Sequence, residues 1–215
     1  MLRFISDEKG VMDLCLSNIA LIIAAGIIIA AVFSFIYYNE WNRNAELKNM
    51  CSGLSIVVEG MDTRFFENTT SYFFPEKDYN YNVSVSTEYV IVNADGTWGN
   101  TLSVKYRFLV CPWPRVDNSD WVSGDELHDY LENTYGQSGN KSEPIQGANV
   151  VSVQNYLDDE REQASYDLVF EPFYVNIIKP VIIEKVFIYY DSDRNNVWDK
   201  GTDDLQEFII IYQKI

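Results

Sequence analysis

The stretch with the clearest chemical potential is DSDRNNVWDKGTDD, residues 191–204. Oxygen-bearing residues recur there at the spacing of a calcium-binding loop. Positions 1, 3, 5 and 9 of that spacing are Asp191, Asp193, Asn195 and Asp199, and Val197 offers a backbone carbonyl at position 7. Alternate side chains can turn inward around a hard cation that takes six to eight oxygen ligands. The pattern predicts calcium as a cofactor.

Two positions of this loop differ from the usual calcium pattern. Asn196 stands in place of glycine, although Asn tolerates the left-handed conformation that the turn needs. Thr202 occupies the position of a bidentate Glu, so Asp203 or Asp204 must supply the last carboxylate, and we take Asp203. The residues on both sides of the loop are predicted to form strands, so the loop would connect the two strands of a hairpin. The alternative is an acidic turn without a metal, since Asp and Asn are common turn residues.

Two other kinds of residue suggest modification outside the cytoplasm. Acceptor sequons for N-glycosylation begin at Asn68, Asn82 and Asn140. Cys51 and Cys111 could form a disulfide in an oxidising exterior, or each could be a small buried apolar residue. The cysteines lack metal-ligand spacing.

Few residues or motifs suit catalysis or nucleic-acid binding. The one histidine, His128, lies between acidic residues on a predicted surface helix, and no phosphate-binding glycine loop or hydrolase motif is present. The formal net charge of −16 repels phosphate backbones. We therefore expect neither an enzyme nor a nucleic-acid partner.

The element that decides location is an uncharged apolar segment, Ile19–Tyr38. Twenty helical residues rise roughly 30 Å, the thickness of a bilayer core. Tyr37, Tyr38 and Trp41 mark its downstream edge, as interfacial aromatics do. Its bulky end is unlike the small-residue cleavage site of a secretory signal. The segment predicts a single pass through membrane lipid.

Beyond this segment an apolar stripe continues at helical spacing. Its members recur at steps of three and four residues, with Met50 and Cys51 adjacent, and are Leu47, Met50, Cys51, Leu54, Val58, Met61 and Phe65. A helix from Ser17 to Phe66 would be about 75 Å long. Gly53 and Gly60 weaken it by about 1 kcal/mol each. The second half of this helix needs a partner to cover its stripe.

The residues before the helix, DEKGV (Asp7–Val11), resemble the cleavage region of archaeal type IV prepilins. A prepilin peptidase cuts such proteins after a glycine that follows a basic residue, which implies a cut between Gly10 and Val11. The resemblance covers about residues 6–38. It implies a long helix with a β-rich head, and self-association or association with other pilin-like subunits.

Downstream of the helix, period-two alternation predicts strands. Tyr79–Val92 and Thr101–Val110 form a hairpin about Asp95-Gly96, and Ser123 with Glu126 opens a short helix to about Glu132. Four more strands are predicted at Asn149–Val153, Tyr166–Ile178, Val181–Tyr190 and Leu205–Gln213.

Together these features predict an α+β fold, with a long N-terminal helix packed on an antiparallel sheet. Residues 1–10 form a tail of prepilin-leader type, residues 11–66 the helix with its span at about 19–38, and residues 67–215 an extracellular β-rich domain. The expected function is a structural subunit of an archaeal surface filament or a pseudopilin-like envelope assembly. The alternative is a single-pass anchored extracellular binding protein, stabilised by calcium. The location is the cell membrane with the C-terminal domain outside, or an extracellular filament after processing.

Overall fold

The computed structural model describes residues 8–97, 99–116, 119–193, 195 and 197–214, with side chains from residue 15 onward. Its helices are α1 (Glu8–Asp62), α2 (Gly124–Tyr135) and α3 (Asn149–Phe170). Its strands are β1 (Asn68–Tyr72), β2 (Tyr81–Val85), β3 (Tyr89–Asp95), β4 (Thr101–Arg107), β5 (Trp113–Pro114), β6 (Ile145–Gln146), β7 (Phe173–Val175), β8 (Val181–Asp191) and β9 (Asp204–Tyr212). The chain divides into two units, residues 1–43 and 44–215.

In the first unit, the segment Ile19–Tyr38 of α1 is apolar on every side. All side chains from Ile19 to Phe35 are exposed. The length and composition of α1 suffice to cross a membrane, criteria that a signal sequence near an N-terminus also meets. A helix that is hydrophobic all round needs an apolar surrounding.

In the second unit, the remaining part of α1 buries the predicted stripe from Leu47 to Met61. The helix ends at Asp62, four residues before the predicted end, and Phe65 is 98% exposed rather than part of the stripe. The buried ammonium of Lys185 donates a hydrogen bond to the Asp62 carbonyl at 2.7 Å. A cationic donor at this position satisfies one of the last carbonyls of the helix and so stabilises its C-terminus.

One sheet has the order β4-β3-β2-β7 and is antiparallel throughout. The predicted strand Tyr79–Val92 is wrong in one respect, because it is two strands, β2 and β3, joined by a turn. Ser86 makes the turn: its Oγ accepts from the Tyr89 amide at 3.1 Å, and its own amide donates to the Tyr89 carbonyl at 2.9 Å. The buried positions change parity across this turn, from Val83 and Val85 in β2 to Val90 and Val92 in β3, which a single continuous two-residue period does not describe.

The other sheet has the order β1-β8-β9-β5, with β6 also paired to β8. Strand β5 pairs with β9 in parallel, and β6 pairs with β8 in parallel, so this sheet is mixed. The prediction of one antiparallel sheet is therefore corrected to two sheets, one antiparallel and one mixed. Strand β9 alternates between two cores: Ile209 and Ile211 pack with the α1 stripe, whereas Ile210 packs with α2 and α3. A strand buried on both faces reads as a continuous apolar run.

The predicted strands Asn149–Val153 and Tyr166–Ile178 are wrong. Helix α3 covers the whole of the first and residues 166–170 of the second, and within the second only Phe173–Val175 is a strand. Val153, Leu157 and Leu168 are the buried residues of α3, and their spacings of four and eleven fit helical turns. The β-branched run at its start imitates a strand, and packing overrides that propensity.

Helix α2 confirms the predicted start at Ser123, whose side chain accepts from the Glu126 amide at 3.3 Å. The helix extends to Tyr135, three residues beyond the predicted end at Glu132. Gly136, in the left-handed conformation with φ 74°, caps its C-terminus.

Candidate functional site

The acidic loop predicted from the sequence joins the two central strands of the mixed sheet. Tyr190 pairs with Asp204 at the loop end of the β8–β9 hairpin, so Asp191 and Asp203, the next residue on each side, lie where the loop begins and ends. Carboxylate oxygens of Asp191, Asp193 and Asp203 all lie within 4.8 Å of one another. That separation is about twice a calcium–oxygen bond length, so one cation could bind all three.

The structure brings together three of the six predicted calcium ligands. Asn195 is turned differently: its Oδ1 accepts from the Val197 amide at 2.7 Å. Its Nδ2 donates to Asp193 at 3.0 Å and to Asp199 at 3.1 Å, which ties Asp199 to the cluster through an amide. In this conformation, the side chains that could ligate one cation together are therefore the three carboxylates of Asp191, Asp193 and Asp203.

Backbone amides hold these carboxylates in place. Asp203 accepts from the Ser192 amide at 2.9 Å and from the Asp199 amide at 2.7 Å. Asp193 accepts from the Asn195 amide at 3.1 Å. These hydrogen bonds close the loop upon itself and preorganise the carboxylate oxygens.

The electrostatics of the cluster favour a cation. The Asn195 amide lowers the pKa of Asp193, but desolvation, a hydrogen bond with Asp191 and the charges of Asp203 and Asp191 together raise it above its usual value. Asp191 is fully buried. A bound cation would relieve the repulsion among these groups, as would a shared proton.

The predicted processing site lies within α1. Gly10 and Val11 belong to its first turn and a half, and their side chains are outside the described part of the structure. Cleavage between them stays a prediction.

The three sequon asparagines lie in different settings. Asn82 is exposed on β2, where its Oδ1 accepts from Asn93 at 3.2 Å. Asn68 is half-buried at the start of β1. Asn140 is half-buried, and its Oδ1 accepts from the hydroxyl of Ser142, the third residue of its sequon, at 2.7 Å. Glycosylation at each stays a prediction.

The predicted Cys51–Cys111 disulfide is not formed, and both thiols are free. Cys51 is buried in the α1 stripe, where its thiol donates to the Val104 carbonyl at 3.5 Å. Burial raises its pKa to about 11. Cys51 thus occupies the alternative role of a small apolar residue, and Cys111 is exposed.

His128 lies on α2, where its Nδ1 is 2.8 Å from the Ser138 carbonyl oxygen and its Nε2 is 4.0 Å from Glu67. These contacts fix the ring between a loop and a surface carboxylate.

Comparison with known proteins finds no matching family model, no matching curated protein and no matching solved structure. The functional conclusions therefore rest on the residues and geometry described above.

Proposed function

We propose that this protein is a pilin-like structural subunit of an archaeal surface filament or of a pseudopilin-like envelope assembly. The observation that carries the proposal is the change of character along α1. Residues 19–35 are apolar and exposed all round, and the part of α1 from Leu47 to Met61 buries a single stripe under two sheets. A free-standing soluble domain has no use for the first part, whereas a helix that exchanges lipid for neighbouring subunits needs it.

In this function, the chain enters the membrane with its acidic domain outside. A prepilin peptidase then removes residues 1–10. The apolar surface of α1 leaves lipid and packs against the same surface of other subunits. Because lipid tails are as apolar as Leu and Ile, close packing between helices drives this exchange.

The amino terminus of the native protein tests the proposal. A mature chain that begins at Val11 is expected, and the variant Gly10→Val is expected to retain Met1. The matched control is Gly26→Val, since Gly26 lies in the same helix, outside the processing motif, with nothing within 4 Å of an added Cβ. A native chain that begins at Met1 would instead support an uncleaved anchor.

A second candidate function rests on the acidic cluster. In it, the protein is an anchored extracellular binding protein whose β8–β9 loop is stabilised by calcium. Asp191, Asp193 and Asp203 would hold the ion, and waters or loop carbonyls would complete its shell.

Thermal unfolding of the full-length chain in detergent micelles tests this second function. Calcium at one hundred times its Kd is expected to raise Tm by about 5 °C or more over a chelator-treated sample. An equal rise with magnesium would indicate a general cation effect. An unchanged Tm in calcium would exclude the site.

A further inference from the structure

Two loops lie together at the end of the second unit where α1 enters it. The first, residues 73–80, connects β1 to β2. It is fixed to the start of α1 in this unit, because Lys77 pairs with Glu46 at 3.1 Å. The Tyr79 hydroxyl donates to the same carboxylate at 2.8 Å. The position of this loop is therefore tied to the entry of α1.

The second loop, residues 176–180, connects β7 to β8. The β1–β8 register pairs Tyr72 with Val181, so the two loops leave the mixed sheet side by side. The Gln213 side-chain amide donates to two carbonyls of the second loop, at 2.8 and 3.0 Å. Both loops are thus held by contacts with other elements, and we call them the entry loops.

Each entry loop exposes a large apolar side chain. Phe73 is 66% exposed, and Ile178 is 89% exposed. One exposed apolar residue is ordinary on a protein surface. Here two of them lie on adjacent loops whose backbones are held in place, so their exposure is built into the fold.

The charge of the entry loops differs from that of the whole chain. They contain Lys77 and Lys179 against Glu76 and Asp78, and the exposed Lys214 lies beside them, since the Lys179 ammonium donates to its carbonyl at 3.3 Å. The chain as a whole carries a net charge of −16. This end of the unit therefore lacks the excess of acid that would repel an anionic surface.

The length of the chain limits what the entry loops can meet. Glu46, the partner of Lys77, is eight residues after Tyr38, where the predicted membrane span ends. Eight residues of helix rise about 12 Å. The headgroup layer adds roughly 5–8 Å on each side of the hydrocarbon core. A span that lies in lipid therefore keeps Glu46 close to the lipid headgroups.

We propose that the entry loops dock on the lipid bilayer that holds the span. Phe73 and Ile178 insert at the boundary between headgroups and acyl chains, where aromatic and apolar side chains bind. Lys179 and Lys214 contact anionic headgroups. The proposal rests on the membrane location that both proposed functions share, and it needs neither cleavage after Gly10 nor a bound calcium ion. Docking gives the domain a second point of attachment besides α1.

Spin-label accessibility on the full-length protein in vesicles tests the proposal. The vesicles are phosphatidylcholine with about one-quarter phosphatidylglycerol, an anionic lipid. Cys15→Ser and Cys111→Ser remove the exposed thiols, and the buried Cys51 stays. A nitroxide is attached at Asn80→Cys in an entry loop or, as the matched control, at Asn133→Cys on α2; both asparagines are exposed.

We expect the entry-loop label to collide with a water-soluble nickel chelate at least about threefold less often than the α2 label. Phe73→Ser combined with Ile178→Ser should remove most of this protection. Phe65→Ser combined with Leu109→Ser should leave it unchanged, because these two side chains are similarly exposed but lie outside the entry loops. Equal accessibility of the two labels would overturn the proposal, as would protection that survives the loss of both entry-loop apolar side chains.

Further arms separate the sources of protection. Lys179→Gln should lower it, as should vesicles of phosphatidylcholine alone, and no change in either would overturn the anionic preference. Protection that disappears when the protein is diluted in lipid would assign the surface to a second copy of the chain. A chain that does not float with the vesicles would overturn the membrane location and this proposal together. A native chain that begins at Met1 would count only against the pilin-like function.

Discussion

Replacing Lys185 with Met removes the cation that caps the C-terminus of α1. The Lys185 side chain is 2% exposed; its Nζ lies 2.7 Å from the Asp62 carbonyl oxygen and 3.0 Å from Glu207 Oε2. Met has a similar length and keeps the apolar stem of the side chain packed against its neighbours. The substitution therefore isolates the charged head group.

The magnitude follows from these contacts. A hydrogen bond from a charged group to a carbonyl contributes about 1.5–3 kcal/mol, and a cation at a helix C-terminus adds about 0.3–1 kcal/mol. The Glu207 side chain is 53% exposed, so solvent screens the ion pair to less than about 1 kcal/mol. Relief from burying the ammonium offsets part of the loss. We expect Lys185→Met to lower the free energy of unfolding by about 2 kcal/mol.

Urea unfolding of the full-length chain in micelles, followed by near-ultraviolet circular dichroism, measures this loss. Lys48→Met is the matched control, because Lys48 is exposed on α1 and its replacement makes the same change of charge. That control should lie within about 0.5 kcal/mol of the wild type. Glu207→Gln should cost less than about 1 kcal/mol. A loss for Lys185→Met no larger than that of Lys48→Met would refute the capping role, and an equal loss for Glu207→Gln would assign the energy to the ion pair.

Three further outcomes follow from the described contacts. Asp193→Asn should abolish any calcium-dependent rise in Tm while Asp129→Asn, an exposed carboxylate on α2, retains it; equal rises in differential scanning calorimetry would place the ion elsewhere. Gly60→Ala should stabilise by about 0.5–1 kcal/mol in urea unfolding, since nothing lies within 4 Å of the added Cβ. Gly53→Ala puts its Cβ 2.6 Å from a tyrosine hydroxyl and should gain nothing; a larger gain than at Gly60 would contradict the packing. Iodoacetamide at pH 8 should leave Cys51 unmodified by mass spectrometry until the protein unfolds, because burial raises its pKa to about 11 and keeps it protonated; rapid native labelling would contradict its burial.

Much of the fold could be predicted where one face of an element is apolar and the other polar. The stripe of α1, the Ser123 cap of α2 and the strands β8 and β9 follow from local periodicity and capping chemistry. The α3 region could not be predicted in this way. Its first residues are rich in valine, which favours a strand. The spacing that indicates a helix becomes evident only from the contacts that Leu157 and Leu168 make with other elements.

The candidate sites were predictable to different extents. The spacing within the acidic loop places Asp191 and Asp193 near each other, and the hairpin adds Asp203. The orientation of the Asn195 amide depends on a hydrogen bond to Val197 that spacing does not specify. The pairing of the entry loops carries no sequence signal, because Phe73 and Ile178 come to one end of the unit only through the β1–β8 register.

Strand β9 is far from α1 in sequence, yet it supplies Ile209 and Ile211 to the core that covers the α1 stripe. The stripe is therefore fully covered only when β9 is paired with β8. Contacts this distant in sequence close late and slow the folding reaction. The core around the stripe therefore needs β9 as well as the earlier strands β2 and β3. A truncation just before Asp204 would leave an exposed helix that aggregates, rather than a smaller folded domain.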